Sequence, residues 1–310
     1  MKTNRASSSV SHVEVPEDRA GQRLDNFLSA RLKGLPRSVI YRIIRTGQVR
    51  VNGGRAKPAT RLEGGDRVRI PPVAVREGKP GQVPPAVLKL LSEAICFEKH
   101  GVLVLDKPAG MAVHGGSGLG WGVIDAVRTM RPGMSVDLVH RLDRETSGCL
   151  LLALDRETLR ELHEQLATDR IEKRYLCLLD GQLKEDLVEV HEPIGQFQRG
   201  GERFMRVDPA GKPAFTTFRL LQPYGDYSFV EATLHTGRTH QIRVHAAHLD
   251  LPLVGDKRYS PAARQNFWAD KSCKRMFLHA HQLRFFTRDG DEQLVSSRLP
   301  DDLRALLDNL

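Results

Sequence analysis

Two apolar runs, residues 136–139 and 149–154, bracket the polar segment His140-Arg141-Leu142-Asp143-Arg144-Glu145-Thr146-Ser147-Gly148. Their Val and Leu side chains fit a pleated, buried surface, so both runs read as strands entering a core. The polar segment closes on Ser147-Gly148, the composition of a turn. A strand–loop–strand unit results, with one carboxylate, Asp143, near its tip and arginines on either side. Most strings of this composition are solvated turns, so the rest of the chain has to decide what this one does.

The formal net charge of +9 is unevenly spread. Residues 20–70 hold twelve Lys or Arg against three Asp or Glu, so that stretch alone carries the whole excess and the remainder is balanced. Such a block points to a polyanion-binding module joined to a neutral body. A chain of 310 residues fits that division into two domains. No apolar run approaches the ~18 residues that a membrane span needs. The polar, Ser-rich start lacks the apolar region of a secretory signal and the amphipathic pattern of a transit peptide. Cys96, Cys149, Cys177 and Cys273 lie far apart without metal spacing, and read as small buried hydrophobes of a reducing compartment, the cytoplasm.

Within the basic block, Leu24, Phe27, Leu28 and Leu32 recur at helical spacing. Pro36-Arg37-Ser38 opens a second helix, with Ser38 as N-cap, Val39, Ile40, Ile43 and Ile44 as its apolar face, and Gly47 at its end. Val49-Arg50-Val51 then enters an Asn52-Gly53 hairpin turn, and Arg67-Val68-Arg69-Ile70 closes the unit as a strand. This order and punctuation over residues 20–71 resembles the S4 RNA-binding domain. The resemblance implies that Arg37, Arg42, Arg45 and Arg50 face RNA phosphates, whereas each taken alone reads as part of a solvated helix face. The organisation expected is a flexible N-terminus over 1–19, an S4 domain over 20–72, a Pro- and Gly-rich linker over 73–92 and a second domain over 93–310.

In that second domain, Val102-Leu103-Val104-Leu105, Lys173 to Leu179, two stretches within 215–235 and Leu278 to Phe286 read as strands. Asp155 caps a helix lined by Leu159, Leu162 and Leu166, and a final amphipathic helix follows Leu299. Gly116-Ser117-Gly118-Leu119-Gly120 matches the GxGxG of adenosylmethionine or dinucleotide sites, but its glycines do not directly follow a strand, so a mobile loop is expected. The second dense constellation is Thr236-Gly237-Arg238-Thr239-His240-Gln241-Ile242-Arg243-Val244-His245, read as a helix that starts at Thr239 and puts Thr239 and Arg243 on one face. His245 and His248 stand one turn apart without a third ligand at metal spacing, so hydrogen-bonded histidines are expected there.

Together, His140-Arg141-Leu142-Asp143-x-x-Thr146-Ser147-Gly148 and Gly237-Arg238-Thr239-His240-Gln241-Ile242-Arg243-x-His245 resemble the RluA/RluC/RluD family of pseudouridine synthases. The likeness spans residues 95–290 and includes Leu105-Asp106-Lys107-Pro108-x-Gly110, Lys173-x-Tyr175 and Leu278-His279-Ala280. Asp106 stands where many members have Asn, and Cys149 follows the Thr-Ser-Gly; neither touches the implied chemistry. The resemblance implies an α+β fold, with a mixed, largely antiparallel sheet flanked by helices behind the S4 domain. It implies isomerisation of uridine to pseudouridine without metal or organic cofactor, by a monomer acting away from membranes. The Ala112-Val113-His114-Gly115-Gly116 stretch is most similar to members acting on large-subunit ribosomal RNA. Asp143 would be catalytic and Arg243 the cation that holds it charged. Tyr175 would pack on the target base and help with its C5 proton, Arg141 would fill the gap left by the flipped nucleotide, and Arg238 and His240 would contact substrate RNA. A methyltransferase using the GxGxG loop and a non-catalytic RNA-binding protein are the competing readings.

Overall fold

The computed structural model describes residues 10–32, 35, 37–73, 83–115, 120–199, 202–271 and 273–310. The chain divides into two units, Met1–Gln82 and Val83–Leu310. The first contains β1 (Ser11–Glu14), α1 (Leu24–Arg31), α2 (Arg37–Arg45), β2 (Arg50–Val51), β3 (Gly54–Arg55) and β4 (Arg67–Ile70). Its sheet has the order β1-β4-β2-β3. Leu24 and Leu28 of α1 and Ile40, Ile43 and Ile44 of α2 are buried with Val49, Leu62 and Val68. The helical spacing of these residues thus becomes one shared core. Asn52 and Gly53 adopt φ of 49° and 81°, the left-handed pair that a two-residue hairpin turn requires.

Two expected boundaries move. Residues 11–14 are not a flexible lead but β1, paired with β4 from Ser11↔Ile70 to Glu14↔Arg67. Four residues with a single large apolar side chain, Val13, show too little alternation to be seen without that partner strand. The expected linker also ends early, because α3 (Pro85–Glu93) packs Leu91, with Val83 just before the helix, into the core of the second unit. Residues 74–82 lie outside the described residues.

The second unit continues with β5 (Ile95–Lys99), β6 (Val102–Lys107), α4 (Val123–Met130), β7 (Asp137–Leu138), β8 (Ser147–Ala153), α5 (Arg156–Ala167) and β9 (Glu172–Leu179). After these come β10 (Leu187–Val190), β11 (Ile194–Arg199), β12 (Glu202–Val207), β13 (Thr216–Tyr224), β14 (Tyr227–Leu234), α6 (Gln241–His248), α7 (Ala262–Asp270), β15 (Leu278–Phe286), β16 (Glu292–Ser296) and α8 (Asp301–Asp308). A ten-stranded sheet runs β10-β13-β14-β9-β15-β8-β6-β5, with β16 added beside β15 and β7 beside β8. The β15–β8 pair is parallel and the remaining described pairs are antiparallel, so the sheet is mixed and the fold α+β, as expected. β11 and β12 form a separate hairpin whose tip, with Gly116–Gly118 of the GxGxG string, lies outside the described residues.

β8 sits in the middle and is buried on both faces. Leu150 and Leu152 join a core with Val123 and Val127 of α4 and Ile242 of α6, while Leu151 and Ala153 join Leu162 of α5 on the other side. Each leucine so enclosed contributes about 1.5–3 kcal/mol. Ser147 and Gly148, expected in a turn, instead begin β8. Ser147 pairs with His279 and Gly148 with Ala280, a partner far along the chain that no local pattern announces. Gly148 adopts φ 106°, and a Cβ there would meet the Ala280 carbonyl oxygen at 2.2 Å, so only glycine allows this approach. Cys149 and Cys177 are buried as expected, but Cys96 is exposed on β5 and Cys273 is half-buried. Among the described residues no helix is long and apolar enough to cross a membrane, and no His, Cys, Asp and Glu cluster could hold a metal ion.

Candidate active site

Asp143 stands on the loop between β7 and β8, and the turn after β6 fixes that loop. Lys107 is fully buried, and its Nζ donates to the carbonyls of Pro108, Met111 and Arg144 at 2.8, 2.9 and 3.1 Å. Arg144 Nε donates back to the Gly110 carbonyl at 2.8 Å, and Gly110 N–H to the Arg144 carbonyl at 2.8 Å. Burial pushes the Lys107 ammonium down to about 8, against the opposing pull of Glu145 and Asp143. Behind the loop, burial drives His140 down to about 4, and its neutral Nε2 accepts from Leu151 N–H at 3.1 Å.

The cation comes from α6. Arg243 Nη1 donates to Asp143 Oδ2 at 3.2 Å, although a hundred residues separate them. The rest of the guanidinium is taken by Asp256, which accepts from Nε at 2.7 Å and from Nη2 at 2.8 Å. Burial opposes charge on Arg243, but Asp256 and then Asp143 outweigh it and the pKa is raised. The Tyr259 ring centre lies 4.9 Å from the guanidinium carbon, and the Tyr259 hydroxyl bonds His240 Nδ1 at 2.7 Å. His240 Nε2 reaches within 3.7 Å of Asp143 Oδ2, and burial holds its pKa down.

α6 begins at Gln241 rather than at Thr239. His240 is its N-cap in the left-handed region, φ 56° and ψ 24°, which interrupts any helix running through it. The Gln241 side chain takes over the capping: Oε1 accepts from Arg238 N–H at 2.9 Å and from the Thr236 hydroxyl at 2.7 Å. The left-handed backbone at a non-glycine residue costs about 1–3 kcal/mol. It directs the His240 ring toward Asp143.

Asp143, Arg141, Tyr175, Arg238, His240 and Arg243 all line one pocket of about 60 Å³, floored by Leu142, Ile242 and Leu278. Tyr175 is 5 % exposed, and burial followed by the charge of Asp143 raises its phenol pKa. Arg141 is exposed and makes none of the side-chain hydrogen bonds or ion pairs of the described residues. Arg238 is instead tethered, donating from Nε to the Pro213 carbonyl at 2.8 Å. His245 is buried with both ring nitrogens engaged, by the Thr216 hydroxyl and the Glu192 carbonyl, each at 2.9 Å. It is thus the hydrogen-bonded histidine expected. In the first unit Arg42, Arg45 and Arg50 are exposed, while the Arg37 side chain lies outside the described residues.

Sequence reasoning missed Asp256 and Tyr259, and it quoted Lys107 within a motif without giving it a task. It also missed a wider cleft of about 910 Å³ that shares Arg141, Asp143, His240 and Arg243 with the pocket. Seven of its fourteen lining residues are Lys or Arg against three Asp or Glu, so the neutral body keeps a basic face at its site. Those cations come from four separate stretches of chain, three loops and α6, and only a charge count by neighbourhood in space could have found them.

A pocket that gathers one carboxylate, a buried tyrosine and arginines beside a basic cleft suits an enzyme that modifies a nucleobase in RNA. Residues 101–248 match the RNA pseudouridylate synthase family and residues 22–68 the S4 domain. The chain belongs to the pseudouridine synthase family. It is 45 % identical to a Yersinia pestis protein named ribosomal large subunit pseudouridine synthase C, over 99 % of this chain and 97 % of that one. The Haemophilus influenzae protein of the same name is 42 % identical, over 98 % and 96 %. Among solved structures it is similar to human RNA pseudouridylate synthase domain containing 1, at 29 % identity and TM-score 0.57, over 70 % of this chain and 86 % of that one. The likeness to domain containing 4 has TM-score 0.60 at 24 % identity, over 72 % and 95 %, and shows the shared fold.

Proposed function

We propose that this RNA pseudouridine synthase acts on large-subunit ribosomal RNA, with Asp143 as its catalytic residue. The observation that supports Asp143 most strongly is its 3.2 Å contact with Arg243 in the pocket that also holds Tyr175. A uridine flipped from a loop loses little stacking, a few kcal/mol at most, and Arg141, exposed at the pocket mouth, takes the place that the base vacates. Arg238 and His240 border the same opening and contact the flipped nucleotide.

The C1′–N1 bond then breaks with uracil leaving as a delocalised anion. Two routes start from the same carboxylate: Asp143 bonds to C1′, or it removes the C2′ proton to give a glycal. In each the uracil turns over in the pocket and C5 bonds to C1′, as the Asp143–C1′ bond breaks in the first route or Asp143 returns the proton to C2′ in the second. The C5 proton then departs and N1 gains a proton. No water attacks, and the apolar floor of Leu142, Ile242 and Leu278 keeps the intermediate dry. With its pKa raised, Tyr175 stays a phenol, so it offers the base a packing face and a hydroxyl rather than a proton acceptor. The C5 proton therefore goes to another base, and the Asp143 carboxylate lies in the same pocket. The reaction calls on no metal or organic cofactor. The S4-like unit supplies phosphate contacts through Arg37, Arg42, Arg45 and Arg50, and the enzyme works as a monomer in the cytoplasm.

The test is tritium release from C5-labelled uridine in large-subunit ribosomal RNA, combined with pseudouridine mapping in a strain lacking the protein. Sites lost from the large-subunit RNA alone are expected. An unchanged large-subunit map with sites lost from another RNA would redirect the substrate.

A further inference from the structure

We infer that Asp256 is a positioning residue that occupies the fork of Arg243, so that Asp143 receives only a single hydrogen bond and keeps its other oxygen open to the ribose. The inference rests on Asp143 and Arg243 having the roles proposed above. A guanidinium presents its donors as a rigid fork, and a lone carboxylate opposite it takes two parallel bonds, one on each oxygen. That arrangement would tie up both oxygens of Asp143. Here Asp256 takes the Nε and Nη2 edge at 2.7 and 2.8 Å and leaves Nη1 alone to reach Asp143 Oδ2 at 3.2 Å. Asp143 Oδ1 accepts no side-chain hydrogen bond among the described residues.

Asp256 is built to hold that position. Its side chain is fully buried, while those of Arg243 and Asp143 are 12 % and 19 % exposed. Oδ1 also accepts from the backbone N–H groups of Arg258 at 2.8 Å and Tyr259 at 3.2 Å, so the turn fixes the carboxylate independently of Arg243. The turn is possible because Gly255 adopts φ 74°, where a Cβ would meet the Arg275 carbonyl oxygen at 2.5 Å. Tyr259, from the same turn, covers the guanidinium face and holds His240. One short segment thus sets both Arg243 and His240 beside Asp143.

The arrangement also has an electrostatic consequence. A buried Arg243–Asp256 pair is close to neutral as a unit, so Asp143 feels less positive field than an unpaired guanidinium would impose and keeps its nucleophilic or basic character. The other titratable or charged groups around Asp143 include His240 and Arg238 ahead of α6, Tyr175 on β9, Lys107 on β6, and Arg141, Arg144 and Glu145 on its own loop. None of them is hydrogen-bonded to Asp256.

The experiment compares Asp256→Asn and Asp256→Glu in the full-length enzyme, measuring tritium release on ribosomal RNA across pH together with RNA binding. Asp256→Asn keeps the shape and the backbone contacts but removes the charge. Its kcat is expected to fall about a hundredfold with KM and RNA affinity within about twofold. The acid limb of its kcat profile moves to lower pH by about one unit, because the undiluted Arg243 charge now favours the Asp143 carboxylate. Asp256→Glu restores the charge and is expected to leave that limb at the wild-type pH even if the longer side chain slows turnover. Should Asp256→Asn not fold, the limb in Asp256→Glu is still read against wild type, and its displacement overturns the inference. Equal losses in both variants with no movement of the limb would reduce Asp256 to a structural counterion. Full activity of Asp143→Asn would instead remove the reading on which the inference rests, and is scored separately.

Discussion

In the first unit Arg42, Arg45 and Arg50 are exposed and enter none of the ion pairs of the described residues, whereas in the second Arg243, Arg264 and Arg284 are each held by carboxylates. An exposed, unpaired guanidinium keeps its field and its rotamer freedom, which suits a polyanion whose position varies. A guanidinium held through its fork gives up both, and in exchange defines a direction to within one hydrogen bond. Affinity and chemistry are therefore separable: the one should respond to salt and to loss of any exposed cation, the other to single-atom changes at Asp143.

The sharpest break between the two is Asp143→Asn. Turnover is expected to fall by at least about a thousandfold, since the amide can neither attack C1′ nor take a proton. RNA affinity and its salt dependence should stay within about twofold of wild type by filter binding. A parallel loss of affinity would show that the pocket also carries the binding.

Next in size is Gly148→Ala, which strikes the strand that presents Asp143. A methyl group 2.2 Å from the Ala280 carbonyl oxygen must separate β8 from β15. The cost expected is about 3 kcal/mol or more in urea unfolding of the second unit. Wild-type stability would mean that β8 and β15 do not meet as described.

That strand pairing also shows where sequence stopped being enough. Asp143, Arg243 and His240 stood out because two dense local strings carry them, Tyr175 only through the short Lys173-x-Tyr175 match, and the strands and helices around them follow from periodicity. Asp256 could not, because its whole meaning is a fork of bonds to a helix one loop earlier, and Val-Gly-Asp in sequence is an ordinary turn. Lys107 looked like a polar residue at the exit of a strand until two carbonyls of its own turn and one from the distant Arg144 closed on it. Ser147-Gly148 had turn composition and became strand through a partner distant in the chain. The start of α6 moved by two residues because His240 turns left-handed, a choice dictated by Tyr259 and the Gln241 cap rather than by propensity.

A smaller effect tests the rigid side of the contrast through pH. His140 titrates at about 4 in the folded protein, depressed by burial, against about 6.5 when unfolded. As pH falls below 6.5 the unfolded chain gains a proton that the folded chain refuses, so stability declines toward pH 4, by up to about 3 kcal/mol from this residue. Above 6.5 both states hold a neutral ring and the contribution is flat. In His140→Gln, whose amide oxygen can still accept from Leu151 N–H, urea midpoints measured from pH 7 to 4.5 should decline less steeply than in wild type. An unchanged slope would assign the acid sensitivity to other buried histidines such as His279.

The smallest effect probes the free cations. Arg42→Ala with Arg45→Ala removes two exposed charges on α2 that form no ion pair among the described residues. Binding should weaken to a similar degree for every RNA sequence tried, and the slope of log affinity against log salt should become shallower by about two, or slightly less on single strands. The kcat at saturating RNA should stay at the wild-type value, because neither residue belongs to the unit that holds Asp143. A change in kcat with an unchanged salt slope would reverse the division of labour: the arginines of the first unit would then be setting geometry, and the basic cleft beside Asp143 would be supplying the affinity.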